Sequence, residues 1–322
     1  MKALLPRATF LLGKYWFFLG IFLVVFCASG IHGQNLWVRE YHIMPIVISI
    51  AFFVTGLTLD TSDISLHALQ LKATLAAMIS SLVFIPLLSW ILASLLFPVE
   101  FIIGVCIIAT APVTVVSGTV MTAIGKGNIP LSIVICVLGN IIGIFTIPFS
   151  LKILIEGAGN VNLPVLKMLS NLVTTVLVPI VIGNLFQSLL KTYLSRYKKA
   201  FSIFQQSIVL LIIFNAFAGS GTTIREAGSL LPLLFVFIFF LHSLILAMNY
   251  GISKFIRLDR PSTTAFTIHT SQKTLTVSYL VWNGYFANQY PLAMIPGIIY
   301  HLTQMVMDTF LAEKLKKLSL RQ

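Results

Sequence analysis

The sequence predicts an all-α membrane protein with ten transmembrane helices, and three observations support this fold class. Of its 322 residues, 58% are hydrophobic and only 9% are charged. A soluble domain carries about 25% charged residues, so this chain lacks the polar surface that a globule in water needs. The mean hydropathy is +0.99. The length supplies about ten helices at roughly 20 residues per span, with short connections between them.

The same composition excludes several classes of protein. So few charged residues are incompatible with a soluble enzyme or a disordered chain. The formal net charge of +12 does not indicate nucleic-acid binding, because the Lys and Arg residues form short clusters between apolar stretches. Cys27, Cys106 and Cys136 lie inside apolar stretches without metal-ligand spacing. We therefore expect neither disulfides nor a resident metal.

Ten apolar windows follow one another along the chain. The N-terminal window resembles a signal peptide but has no obvious small-x-small cleavage site, so we interpret it as an uncleaved first span. The segment 60–70 is too polar to cross a membrane and is predicted to lie at its interface. The predicted spans are 15–32, 43–59, 71–97, 101–125, 129–155, 163–189, 202–222, 229–253, 261–283 and 291–312.

The distribution of positive charge predicts the orientation of these spans. With the N-terminus inside, sixteen of the 21 Lys and Arg residues fall in cytoplasmic segments. Lys273 lies within the ninth span, and the remaining four fall outside, namely Arg39, Lys152, Lys167 and Arg225. Because positively charged loops stay in the cytoplasm, we predict ten spans with both termini cytoplasmic. The protein is expected in the lipid bilayer of the plasma (inner) membrane.

Ten spans divide into two halves of five, and this division predicts an inverted repeat. An odd number of spans in the first half makes the second half begin on the opposite side of the membrane. We therefore predict inverted repeats over 1–156 and 157–322, an arrangement that is common in secondary transporters. In such proteins the binding site forms at interrupted helices in corresponding places of the two halves.

The fourth and ninth spans are corresponding members, and each contains an unusual polar cluster. The clusters are TAPVTVVSGT at Thr110–Thr119 and TIHTSQKT at Thr267–Thr274. Pro112 removes a backbone donor from the fourth helix, and Gly118 weakens it further. Polar residues at membrane depth must face protein or a water-filled cavity. We therefore predict that helices 4 and 9 are broken and that the breaks lie side by side.

A purely structural interpretation of these polar residues remains open. Hydroxyl side chains in membrane helices often bond only to the preceding turn, and this applies to Thr110 or Thr276 taken singly. The run His269–Lys273 is different, because burying imidazole, amide and ammonium groups together is costly. Lys273 lies some twelve residues into its span, too deep for its ammonium to reach the interface easily. His269 itself could be a hydrogen-bonded packing residue.

Several motifs give the chain a resemblance to a known family. They are FVTGLTLD at Phe53–Asp60, VMT at Val120–Thr122, GKGN at Gly125–Asn128, SQKT at Ser271–Thr274 and the pair Tyr300-His301. From about residue 40 to 312 the chain resembles the bile acid:sodium symporter family (solute carrier family 10). The SQKT motif is similar to the divergent seventh-member-like branch of that family.

The resemblance implies a division into two domains. The panel domain would comprise 15–59 and 163–222, and the core domain would comprise 71–155 and 229–312. Helices 4 and 9 would cross within the core where they unwind.

The resemblance also implies positions for a coupling ion, sodium or a proton. Characterised members hold two sodium ions behind the crossover, and the resemblance places the corresponding residues here at Ser81, Thr119, Ser132, His269 and either Gln272 or Lys273, which a one-residue ambiguity leaves open. One further family ligand falls at Gly118, where Ser117 is the nearest hydroxyl. The family's shared acidic ligand falls at His269, and one of its hydroxyl ligands falls at Cys136. Sodium prefers hard oxygen ligands, and a protonated Lys273 would repel it.

These departures leave two alternatives for the coupling ion. Either one sodium ion binds near Ser117, Thr119 and Ser132, or Lys273 stands in for the cation. In the second case His269 would be a candidate proton carrier, because histidine titrates near neutral pH. No other cofactor is expected.

The leading hypothesis for function is a secondary transporter that moves a small organic anion by alternating access. The anion would meet Lys273 and the exposed N-termini of the broken helices. The predicted substrate-binding residues are Thr114, Ser117, Thr119, Asn215, Lys273, Thr274 and His301. The alternative is a non-transporting membrane regulator or scaffold that keeps the symporter fold. The sequence does not indicate an oligomeric state.

An enzyme is not expected. Asp308 is predicted near the cytoplasmic end of the last span, so no pair of acidic residues would lie at membrane depth. The sequence also has no His-Glu-x-x-His motif of a zinc hydrolase.

Overall fold

The structure is a computed structural model that describes residues 16–17, 19–28, 43–59, 70–156, 163–226 and 228–319. Within these ranges the chain is helical and contains no strand. Most of the predicted interfacial segment 60–70 and the N-terminal basic residues lie outside the described residues.

We number the helices in chain order. Two of them contain a π-helical turn, at Ser80–Phe84 in α3 and at Val173–Leu177 in α7. The helices are α1 Leu19–Ala28, α2 Ile43–Thr58, α3 Leu71–Ser94, α4 Val99–Thr110, α5 Val116–Ile124, α6 Ile129–Glu156, α7 Val165–Leu172 continuing as Val178–Arg196, α8 Lys198–Glu226, α9 Leu231–Phe255, α10 Arg260–Ser271, α11 Leu275–Tyr285 and α12 Ile295–Ser319.

Five of the described helices contain a stretch long and apolar enough to cross a membrane. These stretches are Leu71–Ser94, Ile129–Glu156, Val165–Leu190, Lys199–Ala218 and Leu231–Phe255. Shorter apolar helices add to them at Leu19–Ala28, Ile43–Thr58 and Val99–Thr110. The described part of the chain is therefore that of a multi-pass membrane protein.

One group of helices is built around the contact between α2 and α7. A Cβ atom added at Gly56 would meet the backbone oxygen of Ile180, and one added at Gly183 would meet the backbone oxygen of Phe53. Only glycine permits so close an approach of two helix backbones. Helix α8 packs on the same side of the molecule, against α2.

The remaining long helices surround α10 and α12. Helix α10 packs against α5, α6 and α9, whereas α12 packs against α4, α5 and α9. A large apolar cluster supports them and includes the fully buried Trp282 and Phe101. This packing brings the connections α4–α5 and α10–α11 to the middle of the second group.

Candidate functional site

The two polar clusters meet at interruptions of helical geometry. Residues 111–115 between α4 and α5 and residues 272–274 between α10 and α11 are not helical. Ala111 precedes a proline and adopts an extended ψ of 149°, because proline disfavours helical geometry in the residue before it. The backbone N–H of Thr274 donates to the carbonyl oxygen of Pro112 at 3.0 Å. The two interruptions are therefore in direct backbone contact.

Lys273 lies fully buried at the second interruption and points its ammonium toward oxygen atoms. Its Nζ donates to the Ser81 carbonyl oxygen at 2.6 Å, to the Ser81 hydroxyl at 2.9 Å and to the Ala111 carbonyl oxygen at 3.0 Å. These three acceptors match the three protons of an ammonium group.

The local sequence explains why both carbonyl oxygens are available to Lys273. In the π-helical turn of α3 the backbone N–H of Ile85 donates to the carbonyl oxygen of Ser80 rather than to that of Ser81. The next possible donor to the Ser81 carbonyl is residue 86, and Pro86 has no N–H. The Ala111 carbonyl lies beyond the last residue of α4, where helical partners end.

The backbone of Lys273 is held by a side-chain amide from α12. Gln304 accepts the Lys273 N–H at 2.8 Å through Oε1 and donates to the Lys273 carbonyl at 2.9 Å through Nε2. Nδ1 of His301 lies 3.1 Å from the same Nε2. Gln304 thus supplies the backbone hydrogen bonds that the interruption of α10 removes.

Gln272 connects the two interruptions through its side chain. Its Oε1 accepts a hydrogen bond from the Thr114 hydroxyl at 2.5 Å, and the Ser117 hydroxyl lies 2.8 Å from the same oxygen. Its Nε2 donates to Asp308 Oδ2 at 2.7 Å. Gln272 is fully buried, while Thr114 and Ser117 also line a cavity.

His269 has a partner at each ring nitrogen. Nε2 donates to the carbonyl oxygen of Thr114 at 2.8 Å, and Nδ1 lies 2.5 Å from the Ser132 hydroxyl. Because a carbonyl only accepts, Nε2 carries a proton and Nδ1 is free to accept from Ser132. Thr119 Oγ1 lies 3.5 Å from the same Ser132 hydroxyl. The ring rests on Gly118, where an added Cβ atom would lie 2.5 Å from Cδ2 of His269.

Two adjoining cavities lie between the α2–α7–α8 group and the interruptions. Their volumes are about 460 Å³ and about 280 Å³, and both are lined by Val115, Val116, Val120, Ser202 and Gln205. Thr119 lines the larger cavity. Thr114, Ser117, Thr274 and His301 line the smaller one. Five of the seven predicted substrate-binding residues therefore line these two adjoining cavities.

The other two predicted substrate-binding residues do not line these cavities. Lys273 is turned toward Ser81 and Ala111, as described above. Asn215 is buried in α8 and accepts a hydrogen bond from the Tyr279 hydroxyl of α11 at 2.6 Å. This bond joins the two groups of helices away from the cavities.

Asp308, predicted near the cytoplasmic end of the last span, lies in the middle of helix α12, and its side chain is fully buried. Its Oδ1 lies 2.9 Å from Nε2 of His242, which is fully buried in α9. Asn249 of α9 is a further unpredicted residue, donating to Ser271 and accepting from Ser80. The sequence does contain a signal for Asp308, His242 and Asn249, because each is an ionisable or amide residue inside an apolar window.

The described residues contain no cluster of three or more His, Cys, Asp or Glu side chains that could hold a metal ion.

Comparison with known proteins identifies relatives across nearly the whole chain. Sodium/bile acid cotransporter 7-B of Xenopus laevis is 28% identical over 320 residues, covering 95% of this chain and 92% of the relative. Sodium/bile acid cotransporter 7 of Rattus norvegicus is 26% identical over 318 residues, covering 94% and 93%. The probable sodium/metabolite cotransporter BASS4, chloroplastic, of Oryza sativa subsp. indica is 28% identical over 277 residues, covering 81% and 66%.

These relatives are named as cotransporters, so a non-transporting regulator or scaffold is not favoured. A sequence model of the SBF-like CPA transporter family matches residues 15–317. The resemblance inferred from the motifs is thereby confirmed, and the chain belongs to the SBF-like CPA transporter family, a family of bile acid:sodium symporter-type transporters.

Proposed function

We propose that this protein is a secondary active transporter that moves an organic anion across the plasma (inner) membrane by alternating access. In this proposal α4–α5 and α10–α11 are the broken, crossing fourth and ninth helices of inverted repeats 1–156 and 157–322. The observation that carries the proposal is the contact between two interruptions beside a cavity, made through Pro112 and Thr274. Secondary transporters build their substrate sites at such discontinuous helices.

In the same proposal the two groups of helices are the panel and the core, which move relative to each other during transport. The panel would contain 15–59 and 163–222, and the core would contain 71–155 and 229–312. The cavities lie between α2, α7 and α8 on one side and α5, α11 and α12 on the other. Rocking of the panel against the core would open this space alternately to the two sides of the membrane.

Two helix N-termini make the cavity suitable for an anion. Helix α5 begins at Val116 and α11 begins at Leu275, and both residues line the smaller cavity. The first N–H groups of a helix lack helical partners and favour negative charge. Among the described lining residues there is no Lys or Arg. The anion would therefore be bound by these helix ends and by a hydroxyl such as that of Thr274, which lines the same cavity.

The rest of the cavity wall is largely apolar. Leu57, Val120, Ile133 and Phe201 are among the residues that line the larger cavity. An apolar wall with a few polar groups at one place suits a ligand with an apolar body. The names of the relatives, which refer to bile acids and metabolites, support an organic and amphipathic substrate.

We further propose that Lys273 replaces one coupling sodium ion. The resemblance places an ion position at Ser81, and the Lys273 ammonium is bonded to that residue twice. Two carbonyl oxygens and a hydroxyl also form the kind of oxygen-rich surroundings that a sodium ion prefers. A second cation there would face a strong repulsion at short distance. Any remaining sodium ion would bind near Ser117, Thr119 and Ser132.

The structure represents a conformation that we assign as open toward the cytoplasm. Thr58, Leu194 and Phe201 line the larger cavity, and they lie near the C-terminal ends of α2 and α7 and near the start of α8. The charge count predicts that this end is cytoplasmic. A cysteine at the exposed Tyr197 should then resist a membrane-impermeant maleimide added to intact cells, whereas labelling from outside would contradict the proposed topology.

Transport by the purified, reconstituted chain tests the proposal. The probe is radiolabelled taurocholate, and uptake into proteoliposomes is measured with sodium or with potassium outside at the same ionic strength. We expect saturable uptake whose sodium dependence is weak or follows binding of a single ion. Absence of saturable uptake would overturn the proposed substrate class. A steep dependence that requires two sodium ions would overturn the role of Lys273.

A further inference from the structure

The side-chain amide of Gln272 has one defined orientation in this structure. Its nitrogen faces the Asp308 carboxylate at 2.7 Å, and its oxygen faces the hydroxyls of Thr114 and Ser117. Rotation of the amide by half a turn would place its oxygen against the carboxylate. That arrangement brings two acceptors together and leaves a buried carboxylate oxygen without a donor.

The Asp308 carboxylate is held by His242, which in turn contacts Tyr300. His242 Nε2 lies 2.9 Å from Oδ1 of Asp308, and His242 Nδ1 lies 3.2 Å from the Tyr300 hydroxyl. Tyr300 donates its single proton to the carbonyl oxygen of Ser271 at 2.8 Å. Asp308, His242 and Tyr300 are at most 2% exposed. The chain of bonds thus connects α9 and α12 to the end of α10.

The orientation of Gln272 determines what the cavity wall presents to a ligand. Thr114 donates its proton to the Gln272 oxygen, and its own oxygen accepts the Gly118 N–H at 3.2 Å. The Ser117 hydroxyl, 2.8 Å from both Thr114 Oγ1 and Gln272 Oε1, directs its proton toward these oxygens. The lone pairs of Ser117 are then left for the cavity that this residue lines. At Ser117 the cavity wall therefore presents a hydrogen-bond acceptor to a ligand.

We infer that Asp308, supported by His242, is a positioning residue that fixes the hydrogen-bond polarity of the cavity at Thr114 and Ser117. The consequence is selection for a transported anion that also carries a hydroxyl or another donor group. The inference rests on the proposed transport function and refines its substrate class. The anionic group would bind at the helix N-termini, and the donor group would bind at Ser117.

Exchanging the amide and the carboxylate between positions 272 and 308 distinguishes a positioning role of Asp308 from a role in packing alone. In Gln272→Glu two carboxyl groups face each other, and Asp308 loses its donor. In the double variant Gln272→Glu/Asp308→Asn the new amide donates to Glu and accepts from His242, while Glu accepts from Thr114 and Ser117. Each oxygen and nitrogen atom of the two exchanged groups again has a hydrogen-bond partner. A residue that only fills space would not make the double variant better than the single one.

The first readout is uptake by proteoliposomes of taurocholate and of its analogue without ring hydroxyls. We expect wild type to prefer taurocholate, measured as the ratio of Vmax/KM for the two probes. Gln272→Glu should lower taurocholate uptake about tenfold or more, because the buried charge-assisted bond to Asp308 is lost and two carboxyl groups face each other. The double variant should recover uptake to within about threefold of wild type and keep the preference. The matched control is Thr303→Val in α12, a buried hydroxyl with no hydrogen-bond partner among the described residues.

The second readout is independent of any substrate. Hydrogen exchange of the backbone N–H groups in 111–118 is compared among wild type, the single variant and the double variant. We expect faster exchange in Gln272→Glu and protection in the double variant. A single variant that fails to fold beside a folded double variant gives the same support. A double variant that exchanges as fast as the single one, or that fails to fold, overturns the inference.

The two readouts also distinguish failure of the inference from failure of the proposed function. If wild type carries neither probe, the proposed substrate class fails, and hydrogen exchange still decides the positioning role of Asp308. If wild type carries both probes equally well, selection for a donor group is wrong. If uptake is unchanged in Gln272→Glu, the positioning role itself is wrong.

Discussion

The ammonium of Lys273 and the backbone carbonyl of Ser81 form a hydrogen bond of 2.6 Å between residues that are 192 positions apart in the chain. The bond joins the interruption after α10 to the π-helical turn of α3. A third element takes part, because the same ammonium donates to Ala111 after α4. The Lys273 ammonium thus connects three places where the backbone departs from regular α-helix: the π-helical turn of α3, the end of α4 and the end of α10.

The variant Lys273→Met should fold but lose transport. Methionine keeps most of the length of the side chain, but it leaves the oxygens of Ser81 and Ala111 buried without a donor. Unpaired buried acceptors cost about 1–3 kcal/mol each, so we expect the free energy of unfolding to fall by roughly 2–4 kcal/mol. Taurocholate uptake and thermal unfolding in detergent measure the two effects. Uptake at the wild-type rate would contradict the proposed role.

Lys152→Met is the matched control for this variant. Lys152 is an exposed lysine of α6 that pairs with Glu156 one turn away at 3.7 Å. Exposed pairs of this kind contribute little to stability. We therefore expect neither the unfolding temperature nor the uptake rate of Lys152→Met to change measurably.

Adding His269→Glu to Lys273→Met should create dependence on sodium. Glutamate at this position would face the carbonyl oxygen of Thr114 and the hydroxyl of Ser132, which are now the partners of the imidazole. Carboxylate, carbonyl and hydroxyl oxygens form a set that binds a hard cation. The measurement is the unfolding temperature in sodium and in potassium chloride. Equal stabilisation of single and double variants by sodium would show that no such site has formed.

The sequence predicted the helices of this protein better than the contacts of its site. The predicted helix 43–59 corresponds to Ile43–Thr58 in the structure, and the predicted helix 229–253 corresponds to Leu231–Phe255. The limits of both agree to within about two residues. Long apolar runs define such limits because the membrane leaves few alternatives for the backbone. The last helix, by contrast, continues to Ser319 beyond the predicted end at 312, since its final turns are polar and carry no apolar signal.

The spacing of residues along the chain could not predict the hydrogen-bond partners of the site residues. The two polar clusters stood out because polar runs are rare at membrane depth. The acceptor role of the Ser81 carbonyl depends on the π-helical turn and on Pro86, and neither has a clear periodic signature. The sequence places Asp308 near the end of the last predicted span, and nothing along the chain indicates that its carboxylate is buried among α9, α10 and α12. Its contact with Gln272 becomes visible only when α10 and α12 are packed together.

Gly118→Ala should impair both stability and transport. A Cβ atom at this position would lie 2.5–2.8 Å from the ring of His269, which is held on its other sides by Thr114 and Ser132. The ring cannot move away without breaking a hydrogen bond, and overpacking of this kind typically costs about 1–3 kcal/mol. Thermal unfolding and taurocholate uptake measure the loss.

Gly251→Ala provides the contrasting control. Gly251 lies inside α9, and an added Cβ atom there would meet nothing within 4 Å. Alanine favours a helix by about 0.5–1 kcal/mol over glycine, so this variant should be as stable as wild type or more stable. If both alanine variants behaved alike, the effect at Gly118 would have to come from the backbone and not from contact with His269.

Tyr279→Phe should shift the protein toward the conformation that is open on the opposite side. The Tyr279 hydroxyl donates to Asn215 at 2.6 Å and links α11 to α8 at the side that the proposed topology assigns to the exterior. Loss of one hydrogen bond of about 1 kcal/mol changes a two-state equilibrium roughly fivefold. We therefore expect about fivefold faster labelling of a cysteine at the buried Ala216 by an impermeant maleimide added outside, measured in a Cys27→Ser background.

The matched control is Ser278→Ala in the same helix. Its hydroxyl donates at 3.0 Å to the carbonyl oxygen of Thr274 within α11, so its removal disturbs the helix without affecting the bond to α8. The labelling rate at Ala216→Cys should then stay at the wild-type value. Labelling at Gln205→Cys, in the cavity that faces the cytoplasm, should slow in Tyr279→Phe as the opposite side opens. Unchanged rates at both cysteines would mean that the bond between Tyr279 and Asn215 persists in both conformations and moves with the panel.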